Sequence, residues 1–518
     1  MRMGPAWFSA LLALGCELGA VDVPIGADLP STFYISPHGS DDNSGTRALP
    51  WRTFAHATAQ LEPGHTLLLL DGDYEPRSTG LLQVNCGDGV RSGRAGRPIL
   101  VRAESERRAL LHGDGARVPL ELRGCEHWVV EGLTLMNEHV DSVEPGTDVG
   151  TVAMVQGGKD VALRRLLLLR PNHHRHTHLL RVLEADHVLV EECEAYDFHH
   201  NAFEAVRSRF VTFRRNYFHS RYAESAEGTV GTDDPTRGEV AIQIEESSSA
   251  VLENNVAEVV GTGFSVVGRP SGSPYTDAPP YPVSGARLFG NVVRDALAAG
   301  FKIETRCGDA APCEAPERIV TDTLVVDGAV EEAAVGVAVD AAPGTRVDNV
   351  TLARVADGVE LSRGAGNQGL EFSASASRAL VRGFSGVAFG ASGVADWSFE
   401  HCAAVDPGTE AVSFAPRDSR VLQPLSEAGG DDCLVYLHRD SPLRRAAGAD
   451  GYVGASIILR YLNGAVTDVP LWEPATGAFP CGAVVAGIND DPGQSCRGVH
   501  ERLRVGSTGC PLPDGESR

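Results

Sequence analysis

The chain has 518 residues, 42% of them apolar and 22% charged, which is enough for a substantial core. Its formal charge of −24 argues against nucleic acid as a partner. Length alone would suggest about three domains, but a repetitive chain can form one long domain because each repeat touches only its neighbours.

The N-terminus reads Met1-Arg2-Met3, an apolar run over 6–14, then Gly15-Cys16. That run is too short to span a bilayer, which takes about 20 residues. One positive charge, a short apolar stretch and small residues before a cut site read as an export signal. Ala13-Leu14-Gly15-Cys16 resembles a bacterial lipoprotein box. The resemblance implies a signal over 1–16, lipid on Cys16, a tether over 17–30 and an outer-membrane or cell-surface location, with plain secretion as the alternative. The lipid would be the protein's only membrane attachment. Setting Cys16 aside leaves ten of the 11 cysteines, an even number that favours disulfides in an oxidising compartment. Cys307/Cys313 and Cys481/Cys496 are close pairs, but the full connectivity is not readable. No zinc-type cysteine or histidine spacing occurs.

From Phe33 the chain reads Phe33-Tyr34-Ile35-Ser36-Pro37-His38-Gly39-Ser40-Asp41-Asp42-Asn43-Ser44-Gly45-Thr46, followed by Pro50-Trp51-Arg52-Thr53-Phe54. This resembles the opening of secreted right-handed parallel β-helix proteins of the pectate-lyase-like superfamily. The resemblance implies an all-β fold, a right-handed parallel β-helix over 31–405, and extracellular polysaccharide as the partner of a monomeric chain. Phe54, Ala57, Thr58 and Leu61 fall at helical spacing, which predicts an N-terminal helical cap over an open strand edge. Thr66–Leu70 is expected to begin the first strand.

The centre of the chain repeats one phrase: a small residue, an apolar one, a variable one, an apolar one. It begins at Ala202, Ala241, Gly263, Gly300, Gly336 and Gly358, so successive starts lie 39, 22, 37, 36 and 22 residues apart. Alternation with period two predicts a strand with one buried face. A spacing near 22, lengthened by polar insertions, predicts one coil of a solenoid. A second strand recurs ten residues after Phe203 and Ile242, at Phe213 and Leu252, and leads to Asn216 and Asn255, with Asn291 ending a similar strand. The asparagines are expected to stack inside a turn. The rhythm fades after Val405, and 406–518 reads as a disulfide-tied C-terminal segment covering the last coil.

Aligning the phrases predicts two outward columns. The first is Arg181, Glu204, Gln243, Ser265, Lys302, Ala338 and Glu360; the second is Leu183, Val206, Glu245, Val267, Glu304, Asp340 and Ser362. Coils about 4.8 Å apart would make these a flat polar face. Glu304 and Asp340 then become neighbours, and carboxylates that close need a cation: Lys302, Arg306 or Ca²⁺. Glu245, Glu304 and Asp340 are the metal-ligand candidates. Arg181, Glu204, Gln243 and His176 are the substrate-binding candidates.

Lysine occurs only at 159 and 302. Lyases that cleave uronic-acid polysaccharides by β-elimination need a base and a positive charge to hold the enolate. Lys302, Arg306 and His199 are the candidate catalytic residues; a plain Lys302–Glu304 salt bridge is the simpler account of that pair. His173, His174, His176 and His178 precede one strand and His199 and His200 the next, and an offset of 23 places His176 over His199. Stacked imidazoles suit a base or a metal; a histidine-rich turn with no ligand is the simpler account. Glu191, Glu192 and Glu194 read as surface charge. The Asp233-Asp234 pair lacks the rest of the polygalacturonase series. The expected function is action on, or binding of, extracellular polysaccharide; a non-catalytic surface binder is the alternative.

Overall fold

The structure, a computed structural model, describes residues 31–115, 117–137, 150–169, 177–220, 239–270, 281–307, 316–363, 372–394, 396–405, 410–412, 433–437, 441–447, 451–506 and 510. Cys16, His176 and Cys313 therefore lie outside the described residues. Parallel strands stack coil upon coil. One sheet of 13 strands runs from Thr32–Ile35 to Asp396–Glu400. A second set of 20 strands supplies two further faces. Those faces join because long strands turn a corner between them. In Val256–Gly268, Val256 pairs with Tyr217 on one face and Thr262 pairs with Val240 on the other. The chain is an all-β parallel β-helix.

The recurring small residue, a buried alanine at 202 and 241 and glycine from 263 on, has a steric cause that is sharpest at the glycines. A Cβ on Gly263 would stand 2.5 Å from the Gly300 carbonyl oxygen, and one on Gly358 would stand 2.2 Å from that of Ala388. Neighbouring coils approach too closely there for any side chain. The apolar members point inward: Phe203, Ile242, Phe264, Phe301, Val337 and Val359 are register partners and fully buried.

The asparagines stack as expected. Asn216 Nδ2 donates to the Val190 carbonyl and to Asn255 Oδ1, each at 3.0 Å. Asn255 Nδ2 repeats this with Phe213 O and Asn291 Oδ1, both at 2.9 Å. Each side chain satisfies backbone groups that the turn leaves without a ladder partner.

Several expectations are corrected. The first strand is Thr32–Ile35, which pairs with Thr66–Leu69, so the sheet begins before the helix rather than after it. The helix itself spans Phe54–Gln60, with Thr53 as N-cap and Phe54, Ala57 and Thr58 buried. The coils continue past Val405, because Glu410–Val412 pairs with Val387–Ser392. Glu191 and Glu194 are not surface charges. Arg214 and Arg215 hold Glu191, while Glu194 receives Arg107, the Tyr196 hydroxyl and the Asn489 amide.

The C-terminal segment does not simply cover the last coil. It lies lengthwise along one face, over Met136, Leu167, Tyr196, Tyr217, Val256 and Val292. Those side chains point away from the main core and are apolar, so the face must be covered. Arg502 Nε reaches both oxygens of buried Glu258 at 3.0 Å, and a hairpin of Leu459–Leu462 and Ala465–Pro470 docks through Tyr461 onto Asn254. Cys433–Cys510 and Cys481–Cys496 tie this segment, and Cys86–Cys125 links early coils. The even cysteine count does not mean complete pairing: Cys193 and Cys402 are buried free thiols.

Candidate functional site

The register places both predicted columns as aligned in the sequence. Arg181 pairs with Glu204, Glu204 with Gln243, Gln243 with Ser265, Ser265 with Lys302, Lys302 with Ala338 and Ala338 with Glu360. In the second column Glu245 pairs with Val267, Val267 with Glu304 and Glu304 with Asp340.

The face is not uniformly open, and this corrects the flat exposed surface expected. Arg181, Glu204, Gln243, Ser265, Glu245 and Glu304 are buried. Glu204 is the hub of the covered half. Arg181 Nε lies 2.9 Å from its Oε2 and His178 Nε2 lies 3.5 Å from the same oxygen. Asn201 Nδ2 and Gln243 Nε2 donate to its Oε1 at 3.0 and 3.2 Å. The Gln243 amide also donates to Glu245 Oε2 at 2.8 Å, and Arg269 Nε stands 2.9 Å from Glu245 Oε1.

Burial would raise the Glu204 carboxyl, but His178, Arg181 and His200 outweigh it and hold the group at about 2. Glu245 moves the other way: burial and the nearby Glu204 charge raise it, against Arg269. Burial would lower His200, yet its ring nitrogen sits 2.5 Å from Glu239 Oε2, and the net effect is upward.

The open half begins at Lys302. Its side chain is 36% exposed and its Nζ lies 3.1 Å from Glu304 Oε2. Arg306 Nε donates to the other Glu304 oxygen at 2.7 Å, and its side chain is 42% exposed. Burial would raise Glu304, but Arg306 and then Lys302 keep it below the ordinary carboxylate range. The cation that Glu304 requires is thus supplied by two side chains. Among the described residues no three histidine, cysteine, aspartate or glutamate side chains gather as a metal cluster. Glu245 sits two coils from Glu304, with Val267 between them.

The expected pairing of His176 with His199 lies outside the described residues, but two neighbouring histidines meet at the groove. The ring pair is His178 with His200, centroids 5.1 Å apart, while His199 is buried beside them. Asn201, Glu239 and Arg269 also went unnoticed in the sequence. Asn201 opens one strand and Glu239 immediately precedes another, both with central residues that stood out, so that position was their available signal; Arg269 lies just beyond a strand end and carried none.

No family model matches the chain. A stretch of 124 residues, 23% of this chain, is 31% identical to the uncharacterized protein YwoF of Bacillus subtilis. A stretch of 128 residues is 29% identical to pectate lyase PEL9 of Emericella nidulans. The matched stretches span 24% and 29% of those relatives' lengths. Among solved structures, pectate lyase Pel9A aligns over 90% of this chain and 96% of its own, at 14% identity and a TM-score of 0.41. The catalytic unit of the α-1,3-glucanase of Streptomyces thermodiastaticus aligns over 75% and 66%, at 16% identity and a TM-score of 0.47. The stacked coils and the asparagine ladder make the chain a parallel β-helix.

Proposed function

We propose that the protein is a carbohydrate-active, exported β-helix protein that binds a uronic-acid polysaccharide along the ladder face and cleaves it by β-elimination at Lys302. The observation that carries this reading is the sharing of Glu304 by two half-exposed cations. Arg306 holds one oxygen and Lys302 the other, so Lys302 can give up its proton without leaving Glu304 unpaired. In the proposed step the Lys302 amine takes the proton beside the sugar carboxylate. The electron pair forms the new C=C bond as the glycosidic C–O bond breaks, the departing oxygen takes up a proton from water, and the Lys302 ammonium returns its proton to solvent. Arg306 faces the substrate carboxylate and stabilises the enolate. The partial likeness to a protein named pectate lyase supports the substrate class. Arg181, Glu204 and Gln243 are engaged with one another, so they hold the floor of the groove, and the reacting sugar sits at the Lys302 end.

The same salt bridge favours a second reading, a non-catalytic glycan binder, because a lysine committed to Glu304 is a poor base. Incubation with polygalacturonate, alginate and glycosaminoglycans, with and without a chelator, separates the two. Growth of unsaturated-product absorbance supports the lyase, and chelator sensitivity would add Ca²⁺ to it. Retained binding with no absorbance change on any polymer supports the binder.

A further inference from the structure

A second groove lies on the 13-stranded sheet, away from the ladder face. Its cavity is about 280 Å³, just below the usual range for ligand pockets. Four successive coils line it, contributing Asp322, then Gly344 to Arg346, then Ser373 to Ser375, then Asp396 to Ser398. The strand register builds the lining. Arg346 pairs with Ser375 and Ser375 with Ser398, while Ser373 pairs with Asp396. At about 4.8 Å per coil the groove extends roughly 14 Å, which suits a chain of sugar units better than a single ion.

The chemistry of the lining narrows the ligand. Asp322 and Asp396 are exposed acceptors, Arg346 is an exposed donor, and the serines can do either. Trp397, at the last of these coils, packs its ring against the core beside Phe399, so the groove's chemistry is that of its polar side chains. Two carboxylates against one guanidinium disfavour a polyanion, and the mixture of donors and acceptors matches a polyhydroxylated, uncharged ligand. Gly344 keeps the groove open at one end. Its φ is +75°, and a Cβ there would meet Asp322 Oδ1 at 2.5 Å. The groove also shares a coil with the ladder: only Ala341, Ala342 and Pro343 separate Asp340 from Gly344.

We propose that this groove is a binding site for a neutral oligosaccharide, distinct from the ladder face and independent of any chemistry at Lys302. A polymer carrying both neutral and acidic stretches would then be held at two places, which raises the effective concentration of each at its site.

The test is calorimetric titration of the full-length protein with neutral hexasaccharides, namely β-1,4-glucan, β-1,4-xylan and β-1,4-galactan hexamers. At least one is expected to bind. Ser375→Trp, which fills the groove from its open side, and Asp396→Ala, which removes an exposed acceptor, should each weaken that binding tenfold or more. Lys302→Ala should leave it unchanged, and unaltered thermal melting would confirm that the variants fold. No binding of any hexamer, binding that survives both groove variants, or binding lost in Lys302→Ala would overturn the proposal. None of these outcomes bears on cleavage of uronic-acid polymers, so failure here is separable from failure of the lyase reading.

Discussion

Glu204 and Gln243, 39 residues apart in the sequence, face each other on adjacent coils, and the Gln243 amide donates to Glu204 Oε1 at 3.2 Å. The same amide reaches Glu245, so one uncharged side chain links two buried carboxylates whose proton affinities are driven apart. This ladder sets how the groove responds to pH and to mutation.

The Glu204 carboxyl lies below its unfolded value of about 4.3. Its stabilisation is therefore fully present above that value and is lost as the pH falls through it toward about 2. Urea midpoints of the wild type should drop across this window, whereas Glu204→Ala should show a flatter profile. At neutral pH Glu204→Ala takes a buried carboxylate from beside Arg181 and His178, at a cost of about 3 kcal/mol. Equal slopes for the two proteins would show that Glu204 is not the group responsible.

Asn255→Ala should destabilise the helix by about 2–6 kcal/mol. It removes an acceptor from Asn216 and a donor to the Phe213 carbonyl, both buried, at about 1–3 kcal/mol for each unsatisfied group. Chemical denaturation measures this directly. A change below about 0.5 kcal/mol would mean that the ladder does not carry the backbone groups assigned to it.

Arg502→Ala strips buried Glu258 of its nearer guanidinium at the junction between the C-terminal segment and the coils, leaving Arg294 at 3.6 Å and the Tyr217 hydroxyl. Removing one partner of such a pair costs about 3–5 kcal/mol. The loss should fall mainly on docking of that segment, so limited proteolysis should cut within 451–506 before the coils. Simultaneous cleavage throughout would show that the segment and the coils unfold as one unit.

The N-terminal reading predicts that Cys16 carries lipid when the gene is expressed in a bacterial host. Metabolic labelling with a radioactive fatty acid should mark the wild-type protein and not Cys16→Ser, and the variant should move from the membrane to the soluble fraction. Equal labelling of both proteins, or none of the wild type, rejects the lipoprotein reading in favour of plain secretion.

Much of the fold was legible because a solenoid turns sequence period into spatial neighbourhood. Aligning Phe203, Ile242, Phe264 and Phe301 yielded the register residue for residue, since a slip of one position would have turned each buried apolar side chain outward. Burial on the outer side was not legible. A polar residue at an alternating position reads as solvent-facing, and nothing local tells Glu204, held by Arg181 and His178, from Lys302, which remains open. Glu194 failed for the same reason: its partners Arg107 and Asn489 come from an early coil and from the C-terminal segment. That segment itself was misplaced because its docking face is marked only by extra apolar residues such as Leu167 and Tyr217, which a single strand pattern cannot assign to inside or outside.

The central claim is that Lys302 removes a proton from a uronic-acid polymer while Arg306 neutralises the sugar carboxylate. Its most direct measurement is the initial rate of unsaturated-product formation from polygalacturonate and alginate by the wild type, Lys302→Ala and Lys302→Arg. The account predicts activity in the wild type on at least one polymer, a loss of at least a hundredfold in Lys302→Ala, and partial retention in Lys302→Arg. Full activity in Lys302→Ala, or a wild type that binds these polymers without ever producing an unsaturated end, would contradict it.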